Sequence, residues 1–385
     1  MHSPNLTRYL SAHAEPEVTA YTEKVMKTYQ HCLVVPIFDE DPACLQTVLK
    51  HQTDINGLVV AVVNVPENAN ADARARTLAM LNQVGTHSPL DTLVIDRVTT
   101  PVDTKKGVGL ARKIGTDIAL DLVLRGRVAN PWIYQTDADA QLPEGYFATP
   151  LPHSGAVVFP HKHISSNDIL QQAVTLYDLH MRHYLNGLRT AGSNYAYPTL
   201  GSTLAVHAST YAKVRGFPKR NAGEDFYLLN KIAKIDHVTT LSAPIISLTA
   251  RQSARVPFGT GPALLSIVEG LKLDPSGRFY TSYHPASFEL LKSALQILNE
   301  WIEGQVPPHT PALEILQDLG LEKITTSLGK QPHSVQQQHK MLNDWFDAGK
   351  TLRFVHLARR HNADVSLLDT LQGSLRSTAI DPSAH

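Results

Sequence analysis

The stretch Gly57-Leu58-Val59-Val60-Ala61-Val62-Val63-Asn64-Val65 is apolar almost without interruption and without alternation. A strand with one face in water alternates apolar and polar residues. A continuous run of this kind needs cover on both faces, as in a parallel sheet with helices above and below. Other strand-sized segments frame it. His31-Cys32-Leu33-Val34-Val35-Pro36-Ile37-Phe38-Asp39-Glu40 is stopped by proline and acids, Thr92-Leu93-Val94-Ile95-Asp96 follows, and Trp132-Ile133-Tyr134-Gln135-Thr136 ends at Asp137-Ala138-Asp139. Helical spacing fills the gaps: Pro42 to His51 with Leu45, Val48 and Leu49 on one face, residues 71–84, and Gly109 to Leu124. Strand and helix in alternation specify an α/β sheet with right-handed crossovers. Ligands of such sheets sit at the carboxyl ends of strands, where Asn64, Asp96 and Asp137 are expected.

Beyond residue 150 the rhythm loosens. Ala156 to Phe159 and Leu204-Ala205-Val206 read as strands, 167–189 as a helix rich in His, Tyr and Arg, and Glu224 to Ile235 as a helix led in by Gly223. Residues 250–262 read as a loop. From Ala286 onward the chain reads as helices (Phe288 to Trp301, Pro311 to Leu319, Val335 to Phe346, Leu352 to His361), punctuated by Pro-Pro and Gly-Lys-Gln-Pro breaks. The polar residues 1–30 are expected to form a helix against the body, and the last dozen residues to fray. No internal repeat is visible.

The 35 basic residues balance 35 acidic ones, so no bulk field attracts nucleic acid or an anionic membrane. Two cysteines, Cys32 and Cys44, are too few for a disulfide framework or a zinc cluster and read as reduced thiols. Met1 to Leu10 has no basic-then-apolar pattern, and no apolar run approaches the length of a bilayer span. The expectation is a cytoplasmic protein with no integral membrane span.

Four segments carry chemistry. On a strand, residues i and i+2 share a side, so Asp137 and Asp139 are expected to converge past the end of the Trp132 strand. Two anions brought together repel, and a divalent cation removes the repulsion. Hard carboxylate oxygens suit Mg²⁺ or Mn²⁺, with water and phosphate oxygens completing the shell. Lys105-Lys106-Gly107-Val108-Gly109-Leu110-Ala111-Arg112-Lys113-Ile114-Gly115 opens a helix with glycines and cations, which suits phosphate oxygens. It matches neither the Walker loop nor the dinucleotide fingerprint. Asn221-Ala222-Gly223-Glu224-Asp225 puts two acids in a first helical turn, where they either complement the dipole or supply a general base. Arg251-Gln252-Ser253-Ala254-Arg255-Val256-Pro257-Phe258-Gly259-Thr260-Gly261 joins phosphate-suited arginines to a glycine-flanked loop able to close over a substrate. His153, His161, His163, His180 and His183 follow no zinc spacing.

Taken in order, these pieces resemble a family 2-like GT-A fold nucleotide-sugar glycosyltransferase. The resemblance rests on Val34-Val35-Pro36-Ile37-Phe38-Asp39-Glu40, the Gly107-to-Gly115 helix start, Asp137-Ala138-Asp139, Gly223-Glu224-Asp225 and the Arg251/Arg255 loop, and spans residues 31–262. It implies an α/β GT-A architecture, a mixed, mostly parallel sheet flanked by helices. The implied division is an N-terminal helical segment at 1–30, a catalytic domain at 31–285 and a helical C-terminal extension at 286–385. It implies transfer of a sugar from a nucleotide-sugar donor to a small-molecule or glycan acceptor, dependent on Mg²⁺ or Mn²⁺. Carried over by residue, Pro36, Phe38, Glu40 and Asn64 would line the nucleotide, and Lys106 and Arg112 would approach the diphosphate or base. Asp139 would be the main metal ligand, with Asp137 on the metal or ribose and His284 as a third ligand. Asp225 would be the base of an inverting reaction, Glu224 would hold hydroxyls, and Arg255 would stabilise the leaving diphosphate. The family usually has Asp at the Asn64 position. The Gln-x-x-Arg-Trp element of processive members is missing, since Val256 follows Arg255. Acceptor contacts are expected within 151–222, at Tyr195, Tyr197, Gly201 and Arg220. The C-terminal helices either cap the site or form a homodimer interface. Two alternatives compete: a sugar-phosphate nucleotidyltransferase, which needs a basic Gly-rich loop where Pro36 to Glu40 stands, and a non-catalytic nucleotide-sugar-binding scaffold. A phosphatase is disfavoured because Ala140-Gln141 follows the acids.

Overall fold

Two apolar segments, His31–Ile37 (β1) and Gly57–Pro66 (β2), lie side by side in parallel, with Val34 opposite Val60 and every residue of Cys32 to Ile37 and of Gly57 to Val65 buried. The two-faced burial expected from their composition is observed. The computed structural model describes residues 4–86, 88–253, 259–305, 307–329 and 334–372. Ahead of β1 come two short helices, Pro4–His13 (α1) and Glu17–Thr22 (α2), in place of the single helix expected there. Cys44–Val48 (α3) fills only the middle of the helix expected from Pro42 to His51, while Ala71–Leu81 (α4) starts on the Asn70 cap, whose side chain accepts from Ala73 N at 2.8 Å. Asp91–Val102 (β3), Gly107–Leu124 (α5) and Trp132–Gln135 (β4) complete the alternating part.

The later chain adds Ala140–Gln141 (β5), Ala156–Val158 (β6), His161–Ile164 (β7), Asp168–Ala191 (α6), Leu204–His207 (β8), Ala208–Lys213 (α7), Glu224–Ala233 (α8), Val238–Thr240 (β9) and Ile246–Thr249 (β10). Helices then follow at Thr260–Leu273 (α9), Pro285–Ile302 (α10), Pro311–Asp318 (α11), Leu321–Gly329 (α12), Val335–Trp345 (α13) and Ala348–Ala358 (α14). A small ribbon pairs Thr281–Ser282 (β11) with Val365–Ser366 (β12). Helices α9 and α12 were not anticipated; of the segment read as a loop, 250–262, residues 254–258 lie outside the described residues and Thr260 already begins α9.

The chain forms two compact units. Among the described residues, one unit comprises those within 4–165 and 197–250; the other comprises those within 166–196, 251–253 and 259–372. The first holds a seven-stranded sheet in the order β3-β2-β1-β4-β8-β6-β9, parallel except where β8 runs against β4 and β6. It is a mixed, mostly parallel sheet flanked by helices. A second sheet, β5-β10-β7, follows the end of β4. Strand order reverses direction between β1 and β4, and a reversal of this kind opens a crevice at the strand ends where ligands bind. Helix α5 lies close on the sheet because Gly115 faces Val34; a Cβ there would sit 2.4 Å from Val34 Cγ1. On its other side α5 carries Lys113, whose Nζ bonds Asp117 Oδ2 at 2.7 Å and Tyr9 Oη at 2.7 Å, pinning α1 to the body.

The second unit is helical. Helix α6 begins on Asn167, whose side chain accepts from Leu170 N, and ends on Gly192 in the left-handed conformation (φ 81°). Its Leu188 and Ala191 join Phe288, Leu291 and Leu298 of α10, Ile315 and Leu316 of α11 and Phe354 of α14 in one core.

Candidate functional site

Parallel strand β4 ends at Gln135, and the chain turns immediately, with Ala140 N donating to Asp137 O at 3.2 Å. Asp137 and Asp139 therefore sit on a turn, and the argument from strand alternation does not apply to them. The turn is fastened from its far side by Thr249 N, which donates to Asp139 O at 3.1 Å. Both acids are half-buried.

What meets Asp137 is set by α5. Gly107 has φ +41°, and a Cβ on it would lie 2.5 Å from Asn221 Oδ1. Gly109 is tighter: a Cβ would lie 2.5 Å from Pro218 O and 2.6 Å from Arg220 O, while its N–H donates to Arg220 O at 3.0 Å. These glycines, expected to face phosphate, instead let the 218–221 backbone lie on the helix start. Two residues later Gly223, in the left-handed region (φ 71°), turns the chain into α8, and Glu224 and Asp225 occupy its first turn.

Arg112, one turn into α5, closes the group. It is 2 % exposed; its Nε donates to Glu224 Oε1 at 2.9 Å and its Nη2 to Asp137 Oδ1 at 2.6 Å. The guanidinium lies against Gly201, where a Cβ would fall 2.5 Å from Nη2. Gly201 reaches this place because β8, which it leads into, pairs antiparallel with β4, and because Thr136 Oγ1 donates to Ser202 O. Gln135 on β4 also hooks α5, its Nε2 donating to Thr116 Oγ1 at 3.0 Å, with Thr116 in turn donating to Arg112 O. Neither Gln135 nor Thr116 stood out in the sequence. The available clue was Thr116 at i+4 from Arg112, one helical turn away.

Electrostatically, three carboxylates surround one arginine. Burial works against the Arg112 charge, but Asp137, Glu224 and Asp225 outweigh it and hold the guanidinium pKa above its ordinary value. The Asp225 carboxyl is pushed up to about 7, first by burial and then by the Glu224 charge, against the opposing pull of the Phe226 amide, Arg112 and the Gly201 amide. Part of Asp225 reaches solvent, but its carboxyl group is packed among protein atoms, and that packing dominates its titration. Arg112 Nη1 is buried with no hydrogen-bond partner among the described residues.

The remaining expected residues are placed as follows. Pro36 is buried in β1 opposite Val62, and Phe38 packs half-buried against the core beyond the strand. Glu40 is half-buried just after Asp39, a residue at φ +54° held by Arg76 through bonds of 2.7 and 3.0 Å. Asn64 lies within β2, not at its end, and its amide nitrogen donates to Ile37 O and Val62 O. Asp96 likewise lies inside β3, accepting from Val98 N, Thr99 N and Thr99 Oγ1. Lys106 precedes α5 and pairs with Asp103 at 3.5 Å in solvent. His284 belongs to the helical unit, where its Nδ1 caps α10 by accepting from Ala286 N at 3.1 Å. Arg255 lies outside the described residues. Of the acceptor candidates, Gly201 touches Arg112, Arg220 stacks its guanidinium 3.9 Å from the Tyr227 ring centre, Tyr197 is buried, and Tyr195 belongs to the helical unit.

The donor set suits a hard divalent cation. Asp137 gives one oxygen to Arg112 and keeps the other, Asp139 stands two residues away on the same turn, and the surroundings carry more carboxylate than cationic charge.

No family model matches the chain, and no curated protein matches it. Among solved structures, the mannosyltransferase PcManGT from Pyrobaculum calidifontis, in complex with GDP-Man and Mn²⁺, is 17% identical and covers 90% of this chain and 92% of that one, with a TM-score of 0.39. A likeness of that size says nothing about how this chain acts. No helix among the described residues is long and apolar enough to cross a membrane.

Proposed function

We propose that this chain is a GT-A-type glycosyltransferase, moving a sugar from a nucleoside diphosphate sugar to an acceptor hydroxyl. The observation that carries the reading is the Arg112 clasp: one buried guanidinium holding Asp137 at the end of β4 and Glu224 at the start of α8, with Asp225 beside it. The clasp stands where the strand order reverses, the usual ligand crevice of such a sheet. In this reading Asp137 and Asp139 hold Mg²⁺ or Mn²⁺, which when bound neutralises negative charge on a diphosphate leaving group. Asp225 takes the proton of the attacking acceptor hydroxyl. A carboxylate poised at about 7 suits that task at neutral pH, because it is partly ionised there and more basic than a free aspartate. Arg112 fixes Glu224 and Asp137 relative to one another, and Glu224 is left one oxygen with which to orient a hydroxyl. Attack on the face opposite the leaving group inverts the anomeric centre, and product NMR distinguishes this from retention.

A thermal-shift panel of UDP-, GDP- and ADP-sugars, with and without Mn²⁺, tests the donor. One nucleotide sugar should raise the melting temperature in a metal-dependent way, and Asp139→Asn should remove the rise. A flat response across the panel refutes the reading. With the donor known, Asp225→Asn should retain its binding while turnover falls about 10²–10⁴-fold.

A further inference from the structure

The helical unit contains a cavity of about 180 Å³ that the proposed reaction does not use. It lies where the end of α6, the outer half of α10, the end of α13 and the start of α14 meet, and all its walls belong to that one unit. Its rim carries three amide side chains, Asn194, Asn299 and Asn343, all on exposed residues and none hydrogen-bonded among the described residues. Its inner wall is Phe346, 3 % exposed, and Thr351, 1 % exposed. The Thr351 hydroxyl is buried with no hydrogen-bond partner among the described residues. A buried hydroxyl left unpaired costs stability, so its retention beside a cavity points to a ligand that satisfies it. Tyr195 adds a phenol whose hydroxyl reaches Asn343 O at 3.3 Å.

We propose that this cavity binds one neutral polyhydroxylated molecule, a monosaccharide or short polyol, at a site separate from the Arg112 clasp. The size, the charge and the hydrogen-bonding groups of the cavity select that class. The volume lies below the range of about 300–1,000 Å³ that drug-sized ligands fill, which excludes a nucleotide. The lining has no charged side chain. Burial first, then the Asp347 and Asp344 charges, hold the Tyr195 phenol above its ordinary pKa, so the phenol stays a neutral donor beside acidic groups that disfavour an anion. The first turn of α14 offers no anion site either, since Asp347 already caps it by accepting from Lys350 N. Amides present a donor and an acceptor side by side, the pattern that matches two neighbouring hydroxyls. The Phe346 ring supplies the apolar wall for the C–H face of a sugar. The inference stands on the helical unit alone and does not depend on the donor reading.

The test is calorimetric titration of the full chain with D-glucose, D-mannose and xylitol, with glucose 6-phosphate and adenosine as contrasts. One neutral polyol should bind, and the phosphate and the nucleoside should not. Thr351→Val keeps the shape and removes the unpaired hydroxyl. It should leave the melting temperature unchanged or higher while weakening polyol binding about tenfold. Asn299→Trp, at an exposed rim position, should abolish binding in a folded protein, whereas Asp225→Asn should leave it intact. No polyol binding at millimolar concentrations, preference for adenosine or the phosphate, or binding unaffected by both Thr351→Val and Asn299→Trp would overturn the proposal.

Discussion

Asp225 is the residue whose titration carries a stability prediction. Folded, it ionises at about 7; unfolded, it returns to the ordinary aspartate range of about 3.9. Between those values the folded state binds the extra proton, so this group makes stability fall as pH rises from about 4 through 7. Asp225→Asn abolishes that loss. The variant should therefore melt close to the wild type at pH 4 and above it at pH 8, even as turnover drops. Equal melting at both pH values would mean that the carboxyl is not desolvated. Arg112 gives the opposite expectation. It is buried against Glu224 and Asp137, so Arg112→Met leaves buried carboxylate charge without its partner, costing about 3–5 kcal/mol in a denaturant titration. The sequence marked Arg112, Glu224 and Asp137 individually as chemical candidates. It could not show that they bind one another, because they are brought together across long separations by the helix start, the α8 cap and β4.

Among the elements, α5 organises the clasp, and its glycines do so by absence of side chain. In the sequence, Gly107 and Gly109 suit phosphate because glycines and free amides at a helix start attract its oxygens. Here the amide of the buried Gly109 donates to Arg220 O, and the space a Cβ would take is filled by the 218–221 backbone. Local sequence can announce that backbone will approach closely; it cannot say whether the partner is a ligand or the same chain. Gly109→Ala should thus act as a packing lesion, displacing the 218–225 segment and costing about 1–3 kcal/mol. It should also open the packing around Asp225, and because burial is the largest cause of that carboxyl's raised pKa, the pKa should fall, as read by carboxyl-carbon NMR. A variant of unchanged stability would show that the segment is not seated on α5. The parallel strands, by contrast, were legible, because burial on both faces is written into β1 and β2 as unbroken apolar runs. The short strands β5, β7 and β10 were missed. Two to four residues flanked by polar positions carry too little pattern to separate them from loop, and their pairing is decided by partners far along the chain.

At the scale of the whole molecule, the two compact units are interleaved in sequence rather than laid end to end. A linear reading divides the chain at 30 and 285, because the composition turns helical after 286. Helix α6 is the piece such a reading cannot place: it departs from the sheet-bearing unit after residue 165 and returns to it at 197, yet its core partners lie beyond residue 259. The ring of Phe288 fits against Gly187, where a Cβ would lie 2.5 Å from it, and Leu188 and Ala191 are buried in the core shared with α10, α11 and α14. A chain ending at residue 258 keeps α6 and loses those partners. Each large apolar side chain so exposed forfeits about 1.5–3 kcal/mol, and an unpartnered apolar helix face promotes association. The 1–258 fragment should therefore be recovered as aggregate, whereas the full chain should melt as a soluble protein. Size-exclusion chromatography and circular dichroism on both decide the matter. A monomeric fragment with a cooperative transition would mean that the helices after residue 259 are an appendage and that α6 finds its cover elsewhere.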